Sequence, residues 1–263
     1  MKKCRLCGRS GLLFSMSLNA EGYCPTCAKH EKEFEERRAR ERRLQQEAEA
    51  QAWAKIEAVP VFQLQISDRR YKRQTGYEAP TFSNITPKGR YDDVVVFDTE
   101  TTGLYPSRDR IVEIAAVRFV DEKPVARFQS YVNPEREIPE AITKINGITQ
   151  DQIADAPSIA AVLPEFDDFV GASTLVAHNL DFDLRFIFYS GSQVLTVKRK
   201  YIDTLEQGQR FDKKPRDVDN HKLATLCQYH RITIAKEHSA LCDAFATGEL
   251  FFRYVDQVQR PQA

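Results

Sequence analysis

No run of apolar residues among these 263 positions approaches the ~18 needed to span a bilayer. No apolar stretch follows the opening Met1-Lys2-Lys3-Cys4-Arg5, so no secretory signal is expected; a cytoplasmic protein with no membrane partner is. Internal repeats are lacking too. Net charge is absent, with 38 basic residues against 38 acidic ones. That zero hides an asymmetry: residues 1–91 carry 18 Lys and Arg against 11 Asp and Glu, whereas residues 92–263 carry 20 against 27. A basic front on an acidic back suits a chain that grips a polyanion with one part and cations with the other.

Cysteine is scarce but not scattered. Four of the six form Cys4-x2-Cys7 and Cys24-x2-Cys27, with sixteen residues between the pairs. This spacing matches two knuckles that place four thiolates around one structural Zn²⁺. About 25 residues bury little core, so the metal would supply the folding energy. Disulfides would need an oxidising compartment, which nothing else indicates. Residues 1–28 are thus expected to form a small zinc-ribbon-like module contacting nucleic acid or a replication or repair protein. Cys227 and Cys242 sit in apolar helical contexts and read as core residues.

Glycine and proline are missing from Lys29 to Ala58, a run dense in Glu, Arg, Gln and Ala. Such composition is strongly helical. Its apolar positions (Phe34, Leu44, Trp53 and Ile56) keep no heptad, so 29–58 reads as a solvated helical spacer. Residues 59–90 contain Pro60, Pro80 and Pro87 and read as a linker. Within it, Arg69-Arg70-Tyr71-Lys72-Arg73 interleaves an aromatic with charges, as a single-strand contact would, though a solvated face has the same look.

Over 91–263 short apolar strands alternate with helices. Val94–Phe97, Arg110–Val120 and Phe128–Val132 read as three consecutive strands, followed by helices at Pro139–Asn146 and Ser158–Val170. Strands at Thr174–Ala177 and Tyr201–Asp203 bracket a helix that begins with Asp183–Tyr189, and His221–Tyr229 and Ser239–Val255 close the chain as helices. This order predicts an α/β domain with a mixed sheet flanked by helices. Chemistry in such folds collects at strand ends.

Asp98-Thr99-Glu100-Thr101-Thr102-Gly103 stands at the end of the first strand. Residues two apart on a strand share a face, so Asp98 and Glu100 set two carboxylates side by side. They repel unless a cation lies between them, and hard oxygen ligands favour Mg²⁺ or Mn²⁺. More acids recur in Asn179-Leu180-Asp181-Phe182-Asp183 and in His238-x4-Asp243. Together they point to a metal-dependent phosphodiesterase. Asp181 and Asp183 compete for one ligand position on spacing alone, and Asp203 reads as a fold-stabilising acid. On a continuous helix, five residues separate His238 from Asp243 by about 140°, so His238 is expected on the loop just before the helix.

Asp98-Thr-Glu-Thr-Thr-Gly103, His178-Asn-Leu-Asp-Phe-Asp183 and His238-x4-Asp243 resemble, in that order, the DEDDh group of 3′-to-5′ exonucleases. This DnaQ-like superfamily has an RNase H-like fold and includes the proofreading exonuclease of bacterial DNA polymerase III. Ile145-Asn-Gly-Ile-Thr149, Tyr201-Ile-Asp-Thr-Leu205 and His221-Lys-Leu-x2-Leu-Cys227 add to the resemblance, which covers about 92–256. It implies that Asp98, Glu100, Asp183 and Asp243 hold two Mg²⁺ or Mn²⁺ ions and that His238 is the general base. The family pattern ends in Phe-Asp, which selects Asp183 over Asp181. It further implies substrate contacts from Thr99, Thr101, Thr102, Gly103, Leu104, His178, Asn179 and Phe182. Among these, Thr102 would meet the terminal 3′ hydroxyl and Leu104 would wedge between the last bases. The implied substrate is a single-stranded 3′ end, DNA before RNA. RNA trimming, or an adaptor working through its zinc module, are the alternatives.

Overall fold

The computed structural model describes residues 25–73, 91–194 and 199–259. Cys4, Cys7 and Cys24 of the expected zinc set lie outside those ranges, as does 74–90 of the expected linker. Two compact units divide the chain, residues 1–50 and 51–263. Helix α1 (Pro25–Glu57) starts four residues before the predicted spacer, so Cys27 already stands in its first turn. Pro25 suits an opening helical position, where its fixed φ and missing N–H cost nothing. Within residues 25–50 the helix is exposed and laced by ion pairs one turn apart, Lys29–Glu33, Lys32–Glu36 and Arg43–Glu47. No helix among the described residues is long and apolar enough to cross a membrane.

The second unit is built on strands β1 (Asp93–Thr101), β2 (Ile111–Val120), β3 (Lys123–Tyr131), β4 (Thr174–Ala177) and β5 (Tyr201–Asp203). They form one sheet in the order β3-β2-β1-β4-β5. The first three pair antiparallel, and β4 and β5 join parallel to β1. Between them run helices α2 (Glu140–Asn146), α3 (Gln150–Ile153), α4 (Ile159–Val170), α5 (Leu180–Tyr189), α6 (Thr204–Phe211), α7 (Leu223–Tyr229) and α8 (Ala240–Gln259). The predicted mixed sheet flanked by helices is what the chain forms.

Alternation along β1 sorts the two faces. Val95 and Phe97 enter the core shared with α4 and α5, beside Phe166 and Leu184. Val94 and Val96 enter the opposite core with Phe251 and Val255 of α8, where Ile56 and Val59 also bury. Most expected elements recur with boundaries moved by a few residues; β3 starts five residues earlier than predicted. Its Lys123-Pro124-Val125-Ala126-Arg127 half is too polar to read as a buried strand, and it belongs to an edge, where proline is tolerated. Helix α6 was not expected, because Gly208 weakens the pattern. Glycine is required there: a Cβ would lie 2.7 Å from Leu226 Cδ1 of α7.

The first part of the expected linker is laid on the domain. Phe62 N donates to Arg127 O (2.7 Å) and Arg127 N to Pro60 O (2.8 Å), extending the sheet beyond β3. Phe62 packs between Phe128 and Phe169. Arg69 pairs with Glu165 and Asp168 on α4, and Tyr71 N donates to Ala160 O (3.0 Å).

Candidate active site

Strand β1 outruns its parallel neighbour. Its last partner on β4 is at Val96 and β4 ends one residue further on, leaving Asp98–Thr101 projecting past it. Beyond that point β4 turns into α5, and α8 begins on the other face. A cleft of about 700 Å³ opens here, lined by Asp98, Glu100, Asp183, Asp243, His238 and Phe182, among others. Four carboxylates that are up to 145 positions apart in the chain, from Asp98 to Asp243, therefore share one cavity.

Each acid is fixed by local structure. Asp98 and Glu100 point toward α8, continuing the alternation of Val94 and Val96. Thr99 points the other way and meets α5: its N–H (3.0 Å) and Oγ1 (2.6 Å) both donate to Asp183 Oδ1. Asp183 is 2% exposed, whereas Asp181 lies on the outer side of α5 and pairs with Arg185. Asp243 sits in the first turn of α8, where the helix dipole favours negative charge. Its Oδ2 accepts from His238 N (3.0 Å). His238 occupies the loop before α8 with a left-handed backbone (φ 58°) and an exposed ring. Few residues other than glycine adopt that conformation, histidine being one of the more tolerant, and it concentrates at working sites. Ligand atoms of Glu100, His238 and Asp243 lie within 4.8 Å of one another.

The electrostatics of this cleft call for cations. Burial raises Asp98 well above the usual carboxylate range, and Asp183, Asp243 and Glu100 add to the effect by repulsion. Glu100 rises to about 7, through burial and then the charge of Glu113; the Asn146 amide and the Lys236 ammonium partly offset this. Asp183 and Asp243 both rise to about 8, chiefly by burial. An all-oxygen donor set whose members cannot comfortably ionise together fits hard divalent cations.

Glu113 was missed in the sequence. It stands directly across from Glu100 in the β1–β2 register and is 2% exposed. Its Oε1 accepts from Gln129 Nε2 (2.7 Å) and its Oε2 from Ala240 N (3.2 Å), the first residue of α8. Glu113 thus ties the sheet to the helix start that carries Asp243. A lone acid within the apolar strand Ile111-Val112-Glu113-Ile114-Ala115 was the available signal, since buried charges need partners.

The expected substrate contacts divide into two groups. His178, Asn179, Thr99 and Phe182 line the cleft. Both ring nitrogens of His178 are engaged within the protein: Nε2 with His221 O (3.0 Å) and Nδ1 with Thr204 Oγ1 (3.0 Å). A carbonyl only accepts, so Nε2 carries the proton; burial holds the ring neutral, with its pKa lowered to about 4. Asn179 takes a left-handed turn into α5 (φ 67°), with its N–H on Asp203 Oδ1 (2.9 Å). Asp203 also accepts from Leu180 N and Leu205 N, the structural role expected of it. The second group lies behind the lining. Thr101 Oγ1 donates to Gly103 O (2.6 Å), and Thr102 Oγ1 accepts from Arg110 N (3.0 Å). The open side of Gly103 is filled by Asp109, 2.4 Å from where a Cβ would sit. Leu104 is 73% exposed.

A family model described as Exonuclease matches residues 95–251. The chain belongs to this exonuclease family. Its relatives include the PolC-type DNA polymerase III of Caldanaerobacter subterraneus subsp. tengcongensis, 40% identical over 64% of this chain and 12% of that protein. The PolC-type enzyme of Thermotoga petrophila is 34% identical over 78% of this chain and 16% of its own length. The chain thus spans only 12 to 16% of these two curated relatives. Among solved structures, Exonuclease X in complex with 5′ overhanging duplex DNA superposes with TM-score 0.51 at 26% identity, covering 64% of this chain and 94% of that one. The nuclease domain of 3′hExo, a DEDDh family member bound to rAMP, shares the fold with TM-score 0.52 at 22% identity, over 65% of this chain and 94% of that one. The chain is a 3′-5′ exonuclease of the DEDDh, DnaQ-like type, a hydrolase of a class that uses divalent metals.

Proposed function

We propose that this chain removes nucleotides one at a time from single-stranded DNA 3′ ends, releasing nucleoside monophosphates. The observation that carries this reading is the convergence of Asp98, Glu100, Asp183 and Asp243 with His238 in one cleft. Those four carboxylates would hold two Mg²⁺ or Mn²⁺ ions, which when bound supply positive charge to the reacting phosphate and its oxygens. His238 takes the proton from the attacking water at an imidazole nitrogen. Thr99 keeps Asp183 turned into the cleft, and Glu113 holds the start of α8, hence Asp243. Phe182 packs against the terminal sugar or base, and Leu104 wedges at the rim. Apolar and main-chain contacts of this kind read no base identity, so sequence preference is weak.

DNA is favoured over RNA by the PolC-type relatives. Cys4, Cys7, Cys24 and Cys27 would hold one structural Zn²⁺, a reading supported by their spacing, in a module that contacts a replication or repair protein or nucleic acid. The test uses matched DNA and RNA oligonucleotides, 5′-labelled and either free or blocked at the 3′ end, with Mg²⁺ or Mn²⁺. A ladder shortening from the free DNA 3′ end is expected, abolished in folded Asp98→Ala and Asp243→Ala proteins. Near-normal turnover in either variant, or equal loss of the blocked substrate, would refute the assignment. RNA degraded faster than DNA would replace the substrate.

A further inference from the structure

Directly after the metal-facing acids, the β1–β2 loop gathers four arginines. Arg110 faces Thr102 through Thr102 N to Arg110 O (2.8 Å), and so lies about 7 Å along the strand from Glu100. Its Nη1 donates to Arg108 O (2.6 Å) and Asp109 O (3.1 Å). Arg136, from the connection after β3, donates Nη1 to the same Arg108 O (2.8 Å). Arg73 comes from outside the matched exonuclease region and donates Nη2 to Pro106 O (2.6 Å). Arg108 lies over the Tyr105 ring, 4.2 Å from its centroid, and that ring is 58% exposed.

None of these four arginines forms an ion pair among the described residues. Their hydrogen bonds go to main-chain carbonyls, and each guanidinium has five N–H groups. The adjacent acid, Asp109, already accepts from Tyr105 N (2.8 Å). Burial, followed by the charges of Arg110 and Arg136, lowers the pKa of Arg73, and Asp109 offsets part of this. Arg73 is held in place by the strap that precedes it. Arg69 anchors on Asp168, Tyr71 N on Ala160 O, and Lys72 O presses against Gly191, where a Cβ would sit 2.3 Å away. Of the basic run Arg69–Arg73, then, the first member fastens the strap and the last reaches the loop.

The geometry points to a phosphate-binding site for the polynucleotide backbone upstream of the scissile 3′ end, formed by Arg73, Arg108, Arg110 and Arg136 with Tyr105 as a stacking surface. It rests on the exonuclease reading for its polyanion. Arginine forks suit phosphate oxygens, and an exposed ring beside them accepts any base. The strap thereby becomes part of the nucleic-acid interface of the domain it precedes.

Binding of a fluorescent dT15 and of dT3 to the full-length protein in EDTA, without turnover, tests this across a salt series. Arg108→Ala/Arg136→Ala should weaken dT15 about tenfold and dT3 much less, lowering the slope of log Kd on log salt by about 0.7 for each phosphate no longer neutralised. Arg73→Ala should lower the slope again, and Lys at all three positions should restore it, which a merely unfolded strap would not do. Arg253→Ala, from a separate cavity lined by Lys55 and Phe252, should leave the slope unchanged. A matched duplex with a three-nucleotide 3′ overhang tells which backbone is held, by showing the larger change. An unchanged slope in both arms, or equal losses for dT15 and dT3, overturns the site. Because no cleavage is read, an enzyme that binds in this way but never shortens DNA would sink the exonuclease reading alone.

Discussion

Replacing Glu100 by Gln should stabilise the metal-free protein at pH 8 and leave it unaltered at pH 4. In the folded protein, burial and then Glu113 raise the Glu100 pKa from 4.5 to about 7. The unfolded chain gives up that proton near 4.5. Between the two values folding takes up a proton, so stability is full below the lower one and falls as pH rises through the upper one. The difference between those two values corresponds to about 3 kcal/mol. Water and salt in the open cleft screen part of this, leaving about 1–2 kcal/mol. At about 2–4 °C per kcal/mol for a domain of this size, the variant should melt about 2–8 °C above the wild type in EDTA at pH 8. Mg²⁺ or Mn²⁺ should invert the order, because the wild type gains about 2.7 kcal/mol at a hundredfold excess over Kd and the variant has lost a ligand. Scanning fluorimetry from pH 4 to 8, with EDTA or metal, reads both effects. A variant less stable than wild type at pH 8 in EDTA would refute the reasoning.

His238→Ala should lower single-turnover cleavage by about 10²–10⁴-fold with substrate affinity kept, and a loss under about tenfold would remove the general base. Thr99→Val keeps the side-chain shape but deletes the 2.6 Å bond to Asp183. A bond to a charged group is worth about 1.5–3 kcal/mol, so the metal concentration for half-maximal activity should rise about 10- to 100-fold. Gly103→Ala drives a methyl into Asp109, 2.4 Å away, and should cost about 1–3 kcal/mol in a denaturant melt. Adding Asp109→Ala should recover most of that loss, since the clash is shared between the two residues.

What could be read in the chain follows the range of each signal. Asp98-x-Glu100 works through strand alternation and His238-x4-Asp243 through helical rise, so two residues and a spacing suffice to place both. Asp183 and Asp181 are alike at that range. The family pattern chooses Asp183, and the fold gives the physical reason through Thr99, which lies more than eighty positions away. Glu113 was overlooked because its partners, Gln129 and Ala240, come from another strand and from the helix that packs over the sheet. Residues 59–73 read as a linker in the sequence for the same reason. Their Pro60 and their charges look like a spacer until Phe62 meets Phe128 and Phe169, and Arg69 meets Asp168. Gly103 was assigned to a nucleotide, and the group that fills its open side is Asp109. Of the zinc set, Cys27 alone lies among the described residues.

The most direct measurement is anomalous diffraction from crystals soaked in Mn²⁺ with a nucleoside monophosphate. Two manganese peaks about 3.5–4 Å apart, bounded by Asp98, Glu100, Asp183 and Asp243, are expected, both vanishing in Asp98→Ala. Peaks elsewhere, or a cleft that stays empty at saturating metal, would contradict the account.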